Sequence, residues 1–296
     1  MLNWQDLVRM SDDDLERQDV LYVNFACSAG VPGVLPIDEG ECETKLRAIV
    51  AAVQGWTAER LFLFETEPER FDHCWDRYRM ACMVAVLQWR FNMLRDPEWT
   101  FENGAETARN TPPNHHLFAQ HLMKGGFGSC ASLPIVFCSV GRRFGYPLKL
   151  VRSKNHMFLR WDDARSGNRF NIECTSHGFH TPTDEYYRTW PEVCSEQEIV
   201  RYGWLRSLTP REELEAFLEQ RRFCFWRAEA EGSSAFGSSM SFGSPGPQTE
   251  YLGFSGMELV RSLTSTEVDV FFGGPQPPPS TIALNENALS KEKHQW

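Results

Sequence analysis

The chain has 296 residues, of which 42% are apolar and 24% are charged, so it is long enough to bury a sizeable core in one or two domains. Its formal net charge of −10 argues against a nucleic-acid surface and against an anionic membrane as partners.

The N-terminal sequence and the cysteine content predict the cellular location of the protein. Met1 opens an amphipathic segment that lacks the apolar stretch of a secretory signal. No run of apolar residues is long enough to predict a membrane span. The nine cysteines are an odd number and contain no Cys-x-x-Cys pair. This usage favours reduced thiols and predicts a cytoplasmic location.

The first third of the chain is predicted to be helical. Ser11 and the acidic residues after it form a capping box, which is typical of a helix start. Glycines and prolines then interrupt the helical periodicity of the apolar residues. The predicted helices cover residues 11–29, 43–54, 57–68 and 71–94. We expect the region 1–98 to be a helical layer that packs on the core and does not fold alone.

A cluster of histidines precedes the central part of the chain. His115 and His116 are adjacent, and His121 lies on a short predicted helix over 117–123. Neighbouring residues of a regular backbone point in different directions, so we interpret His115 and His116 as solvated surface and not as metal ligands. We expect His121 to line the approach to Cys130.

The segment 125–173 is the stretch around which the rest is organised. A glycine-rich run, 125–130, ends at Cys130, where a helix reaching Arg143 is predicted to begin. Three strand-like runs follow, and the short turns between them predict an antiparallel meander. The predicted strands cover residues 148–152, 156–161 and 169–173.

Three reactive side chains fall at the ends of these elements. Cys130 lies at the helix start, His156 at the start of the second strand and Glu173 at the end of the third. A helix N-terminus and an imidazolium both favour a thiolate, and a carboxylate can orient the imidazole. The pattern therefore indicates a thiol nucleophile with its base and acid. The alternative is a buried structural cysteine, a histidine in a turn and a surface glutamate.

Four short motifs surround these three residues: Gly-Ser-Cys-Ala-Ser-Leu-Pro (128–134), Gly-Arg-Arg-Phe-Gly-Tyr-Pro-Leu (141–148), Asn-His-Met-Phe-Leu-Arg-Trp (155–161) and Phe-Asn-Ile-Glu-Cys-Thr (170–175). They resemble the transglutaminase-like superfamily, and within it the bacterial branch related to the SirB1 N-terminal domain. The resemblance implies an α+β fold with a papain-like, transglutaminase-like core, in which the Cys-bearing helix packs on an antiparallel sheet beside the N-terminal helical layer.

The same resemblance assigns the roles of nucleophile, base and acid to Cys130, His156 and Glu173. Two departures are visible. The acid of the family is usually Asp, and here it is Glu173, so Asn171 is an alternative orienting group. Members of the SirB1-like branch often lack the cysteine, which this chain retains.

The remaining candidates are weaker. Phe127, Trp161 and Asn171 are predicted to contact the substrate. Cys174, with histidines at 177 and 180, has the spacing of zinc ligands, but no fourth ligand is evident. We therefore predict neither a metal nor a cofactor.

The C-terminal part is predicted to close the core and then to lose structure. Residues 181–190 are interpreted as a loop over the core, and helices are expected from Ser195 and from Thr209 to about Ala230. The core region is thus 99–230. Residues 231–296 are rich in Gly, Ser and Pro, a composition typical of a flexible tail, which offers a possible site for a protein partner.

These observations predict a thiol enzyme that acts on peptide or glutamine-type amides by acyl transfer, with hydrolysis favoured over amine cross-linking. Its expected partner is a peptide or protein substrate. A non-catalytic interaction module on the same fold is the main alternative. A hydrolase that uses zinc at Cys174 is the third.

Overall fold

The structure is a computed structural model, and it describes residues 2–96 and 113–234, with backbone only for 231–234. Helices dominate the first described part. They are α1 (Trp4–Arg9), α2 (Asp12–Glu16), α3 (Val20–Ser28), α4 (Glu39–Glu59), α5 (Leu61–Thr66), a 3-10 turn (Pro68–Phe71) and α6 (Trp75–Ala85), which continues as a π-helical turn (Val86–Arg90).

The second described part contains the sheet. Its elements are α7 (Asn114–Leu117), α8 (Ala119–Met123), α9 (Leu133–Arg143), β1 (Leu148–Ser153), β2 (His156–Asp162), β3 (Arg169–Ile172), α10 (Asp184–Thr189), α11 (Glu196–Tyr202) and α12 (Pro210–Ser234). The protein is therefore an α+β protein in which a small sheet is surrounded by helices.

Several predicted helix boundaries are wrong in the N-terminal region. The predicted helix 11–29 is two helices, because the Asp19 side chain caps α3 by accepting from the Leu21 amide. Gly55 does not end a helix but lies inside α4, where a glycine costs only about 1 kcal/mol. The predicted helix 71–94 begins only at Trp75, after the left-handed residues Asp72 and His73.

The predicted meander is confirmed. The strands lie in the order β1-β2-β3, and both pairs are antiparallel. Ser153 pairs with His156 across a two-residue turn, in which Asn155 takes left-handed backbone, a conformation that Asn tolerates well. Leu159 pairs with Ile172 in the second ladder. This register sets the start of β2 close to the residue that follows β3.

The two faces of β2 are buried by different elements. Met157, Leu159 and Trp161 belong to the main apolar core, together with α9, which contacts both β1 and β2. Phe158 points the other way and packs with Tyr187 of α10 in a second, smaller apolar cluster. Successive side chains of β2 point to opposite faces, and this alternation separates the core face from the face that carries His156.

The N-terminal and C-terminal helices cover α9. Helices α3, α4 and α6 contact α9, and α12 lies against α2 and α3. The helix predicted from Ser195 is present as α11, with its capping box, and Gly203 ends it in left-handed backbone. The boundaries 1–98, 99–230 and 231–296 stay predictions, and most of the predicted tail lies outside the described residues.

The membrane prediction can be examined in the same residues. Within 2–96 and 113–234, no helix combines the length and the apolar composition that a membrane span requires.

Candidate functional site

A buried ion pair forms where β2 begins and β3 ends. His156 Nε2 lies 2.7 Å from Glu173 Oε2. His156 is fully buried, and Glu173 is 2% exposed. The two residues come from adjacent strands of the predicted meander, so the sheet register brings together two of the three residues that sequence analysis selected.

Glu173 is held by three further hydrogen bonds. The Tyr187 hydroxyl donates to Oε2 at 2.9 Å. The Thr175 amide and hydroxyl donate to Oε1 at 2.8 and 2.6 Å. Burial alone raises the pKa of Glu173, but the charge of His156 and the hydrogen bonds from His156 and Thr175 hold it well below its ordinary value. The carboxylate is therefore ionised and fixed in orientation.

His156 is correspondingly cationic. Burial lowers its pKa, but the negative charge of Glu173 and the neighbouring Cys130 thiol raise it well above the ordinary value for histidine. At neutral pH the ring is an imidazolium that donates through Nε2 to Glu173. A cation in this position is the group that stabilises a thiolate beside it.

The Cys130 thiol is a neighbour of the same imidazole. Cys130 is 2% exposed, and its interaction with His156 contributes to the raised pKa of that ring. Because Nε2 is bonded to Glu173, the nitrogen left for the thiol is Nδ1. Within the described part of the chain, Nδ1 is buried and has no partner in regular hydrogen-bond geometry, so thiol and ring are neighbours without a regular hydrogen bond.

The backbone around Cys130 differs from the prediction. Helix α9 begins at Leu133 and not at Cys130, which lies in the turn before it. Ser129 initiates this turn, because its Oγ accepts from the Ala131 amide and donates to the His116 carbonyl. The Leu133 amide already bonds to the Ser129 carbonyl, at 3.0 Å. Cys130 thus opens a helical turn that leads directly into α9.

The aromatic side chains of Phe158, Tyr187 and Trp190 pack around the His156 ring. Tyr187 stacks on Phe158 with their ring centroids 3.7 Å apart. Trp190 approaches the His156 ring edge-on at 4.5 Å. The segment 181–190, interpreted as a loop, contains α10, which carries Tyr187. The Thr183 side chain accepts from the Tyr186 amide to cap that helix, and a threonine before two acidic residues is the signal that was available for it.

Two of the residues predicted to contact the substrate, Phe127 and Trp161, lie in different parts of the structure. Phe127 is half-buried in the loop before Cys130. Trp161 is 1% exposed and packs against Tyr146 and Phe170 in the core. Since it lies on the face of β2 opposite to His156, Trp161 presents no surface to a substrate bound at the thiol.

The Asn171 side chain forms its hydrogen bonds with Arg160, Pro182 and Asp184. Its Oδ1 accepts from Arg160 Nε at 2.7 Å. Its Nδ2 donates to Asp184 Oδ1 at 2.8 Å and to the Pro182 carbonyl at 3.0 Å. Of the two predicted orienting groups, Glu173 is the one bonded to His156, and Asn171 instead attaches β3 to the start of α10.

Arg95 is a neighbour of the site that the sequence did not indicate. The backbone of Arg95 forms a bridge with Gly128, and the Gly128 amide donates to the Leu94 carbonyl at 2.9 Å. Burial lowers the pKa of Arg95, while the charges of Glu173 and Cys130 raise it. A second cation thus lies near the thiol, and it comes from a segment far away in sequence without a recognisable motif.

The prediction that His115 and His116 are solvated surface is wrong for His116. His116 is 4% exposed, and the ring centroids of His115 and His121 lie 4.4 and 5.1 Å from its own. The rings converge because α7 is a single turn that ends at Leu117, before α8 begins. Burial lowers the pKa of all three and brings that of His116 to about 4, so the imidazoles are neutral at neutral pH.

The alternative zinc ligands do not converge. His180 Nε2 lies 2.7 Å from the His177 carbonyl oxygen. The Cys174 thiol is buried in the core near the Ile172 carbonyl. In the described ranges 2–96 and 113–234, these three side chains do not form a group whose ligand atoms lie close together.

Comparisons with known proteins yield no relative. No protein-family model matches the chain, and neither a curated protein nor a solved structure matches it.

Proposed function

We propose that this protein is a thiol-dependent acyl-transfer enzyme with a transglutaminase-like, papain-like core, in which Cys130 is the nucleophile, His156 the base and acid, and Glu173 the orienting carboxylate. The observation that carries the proposal is the buried 2.7 Å contact between His156 and Glu173, with the Cys130 thiol acting on the same ring. Burying an ion pair is costly for stability, so its presence beside a thiol favours a chemical role.

The proposed substrate is a peptide bond or a glutamine-type amide. The Cys130 thiolate attacks the carbonyl carbon, and the electron pair of the C=O bond moves to oxygen. The Cys130 backbone amide, which opens the turn into α9, is the expected donor to this oxyanion. The imidazolium of His156 then gives the proton on Nδ1 to the departing amine, and a thioester on Cys130 remains.

Release of the acyl group uses the same residues in reverse. Neutral His156 takes a proton from the incoming nucleophile, which attacks the thioester carbonyl, and Cys130 leaves as thiolate. Water as the acceptor gives hydrolysis, and a primary amine gives cross-linking. We favour hydrolysis. Glu173 remains ionised throughout and keeps the ring with Nε2 towards itself and Nδ1 towards the thiol.

A non-catalytic interaction module is the second candidate, and burial of the triad favours it. Cys130 and Glu173 are each 2% exposed, and His156 is inaccessible. A carbonyl carbon can reach the thiol only if the side chains that bury Cys130 move. If they stay in place, Cys130, His156 and Glu173 would stabilise a surface that binds a peptide without reacting with it.

A product screen on the full-length protein separates the two candidates. The protein is incubated with a mixed peptide library and a fluorescent primary amine, and new peptide N-termini, released ammonia and amine-labelled peptides are quantified. We expect new N-termini or ammonia with wild type and none with Cys130→Ala. Cys42→Ala is the matched control, because Cys42 is also 2% exposed but lies in α4. Equal product with Cys130→Ala would reject the proposal.

A further inference from the structure

The three histidines before the Cys130 loop form a compact donor set. His115 and His116 lie on α7, and His121 lies on α8. One ring nitrogen of each can be chosen so that all three lie within 4.8 Å of one another. The arrangement is unlike a packed aromatic core, because each ring has a lone pair or a proton that needs a polar partner.

We propose that His115, His116 and His121 bind one divalent transition-metal ion of the zinc type, at a site separate from Cys130. Three imidazoles are the ligand set that zinc, cobalt and nickel prefer, and a three-histidine set leaves a coordination position for water or an anion. At a Zn–N distance of 2.0–2.1 Å, ligand nitrogens lie about 3.4 Å apart. The observed spacing therefore requires a closure of little more than 1 Å, which side-chain rotation supplies.

The carboxylate beside the rings supports a metal and not only a stack of rings. Asp96 Oδ2 lies 3.7 Å from His116 Nε2, and a carboxylate beside a ligand histidine is the usual partner that orients the ring and balances charge. The charge of Arg227, which binds the Asn114 side chain and lowers the pKa of His115, acts in the opposite direction. His115 and His121 are partly exposed, so an ion can reach the site from solvent, while His116 closes its inner side.

The chain is also shaped to hold His121 in place. A Cβ at Gly126 would lie 2.1 Å from His121 Nε2, so only glycine lets the ring occupy this position. The Gly126 amide donates to the His121 carbonyl at 3.0 Å. Since Gly126 has no left-handed backbone, replacing it with alanine displaces the ring without straining the main chain.

The site is continuous with the backbone that leads to Cys130. The Ser129 hydroxyl donates to the His116 carbonyl at 2.8 Å, and the Asp96 amide donates to the Gly128 carbonyl at 3.2 Å. An ion bound by the histidines would thus fix both sides of the loop before Cys130. Metal binding does not depend on the proposed acyl transfer and is measured without a substrate.

The test uses untagged full-length protein, freed of metal with a chelator and titrated with Co²⁺. We expect one equivalent to bind, with visible absorption of nitrogen and oxygen ligation and without the intense near-ultraviolet band of a cobalt–thiolate bond. Zn²⁺ should displace the Co²⁺ and raise the melting temperature. Failure to bind, or a thiolate band, would overturn the proposal.

Variants identify the ligands. His115→Gln, His121→Gln and Gly126→Ala should abolish the Co²⁺ spectrum, and Asp96→Asn should weaken binding by about 10- to 100-fold. His73→Asn is the control, because His73 is exposed and left-handed, and Asn tolerates that backbone. The metal-free melting temperature verifies folding. Gly126→Ala retains all three histidines, so unchanged Co²⁺ binding in that variant and in His121→Gln would contradict the site.

Discussion

Glu173 determines the charge state of the site, because each of its oxygens is engaged. His156 and Tyr187 bind Oε2, and Thr175 binds Oε1 twice. A carboxylate held in this way cannot turn away from the ring, and its charge keeps the imidazole protonated. Among the single residues of the site, Glu173 therefore determines the charge of the imidazole more than the thiol does.

The first prediction concerns the protonation of His156. Glu173→Gln keeps the size of the side chain and removes its charge, so the pKa of His156 should fall by about 1 to 3 pH units. Tyr187→Phe removes only one hydrogen bond and should change that pKa much less. Imidazole titration by NMR measures both. Equal pKa values of His156 in wild type and Glu173→Gln would show that the charge of Glu173 is not the cause.

The second prediction is the pH dependence of stability. The raised pKa of His156 stabilises the fold fully below the ordinary value of about 6.5, and this stabilisation is lost as pH rises towards the folded value. The lowered pKa of Glu173 stabilises the fold above about 4.3, and this is lost in acid. The difference in unfolding free energy between wild type and Glu173→Gln should thus be largest between these two values. Urea unfolding across the range measures it, and a difference independent of pH would contradict the ion pair.

Among the helices and strands, α9 and the sheet that follows it position Cys130 and His156. Nine of its eleven residues are buried, and its glycine, Gly141, lies against Leu148 at the start of β1. This close approach sets the distance between the helix that follows Cys130 and the sheet that carries His156. Packing of α9 on β1 thereby controls the geometry of the site.

A pair of glycine substitutions tests this contact. A Cβ at Gly141 would lie 2.2 Å from Leu148 Cδ1, so Gly141→Ala should destabilise the fold by about 1–3 kcal/mol. Gly55→Ala is the matched control inside α4, where a Cβ would meet no atom within 4 Å, and it should stabilise by about 0.4–1 kcal/mol. Urea unfolding measures both. Stabilisation by Gly141→Ala would show that the helix can move away from the sheet.

Elements were predictable from the sequence to the extent that their signals are local. The strand-like runs and the short turns between them located the three strands, and the capping residues from Ser195 located α11. The His156–Glu173 pair followed, because the register of a short meander is itself local. Tyr187 and Arg95 were not recognised as neighbours of the site, since each comes from a segment that meets it only after folding. The convergence of the three histidine rings was also not predicted. The break between α7 and α8, which follows Leu117 and turns His116 inward, carries no strong sequence signal.

In the whole described chain, the C-terminal helix α12 contacts the N-terminal helices α2 and α3. Glu213 binds Arg142 of α9 with two hydrogen bonds, at 2.5 and 3.0 Å, and is buried. Arg211 reaches Asp12 of α2 at 2.9 Å. Arg221 donates to the Cys27 carbonyl of α3, also at 2.9 Å. One helix thus holds the N-terminal helices and α9 together.

The fourth prediction compares two ion pairs on this helix. Glu213→Ala leaves the Arg142 guanidinium, whose side chain is 28% exposed, without its carboxylate and should cost about 1–3 kcal/mol. Glu219→Ala removes a pair with Arg152 in which the Glu219 side chain is 43% exposed, and it should cost less than about 1 kcal/mol. Thermal or urea unfolding measures the difference. Equal losses of unfolding free energy in the two variants would contradict a role of Glu213 in holding α12 against α9.

The reactivity of Cys130 shows whether His156 activates this thiol as a nucleophile. The full-length protein is labelled with iodoacetamide at neutral pH, and mass spectrometry gives the rate at Cys130 relative to Cys42, whose pKa is raised to about 12 by burial. This internal reference corrects for opening of the fold. We predict that Cys130 reacts much faster than Cys42 and that His156→Gln slows it by about tenfold or more. Equal rates at the two thiols, unchanged in His156→Gln, would contradict a nucleophile activated by this histidine.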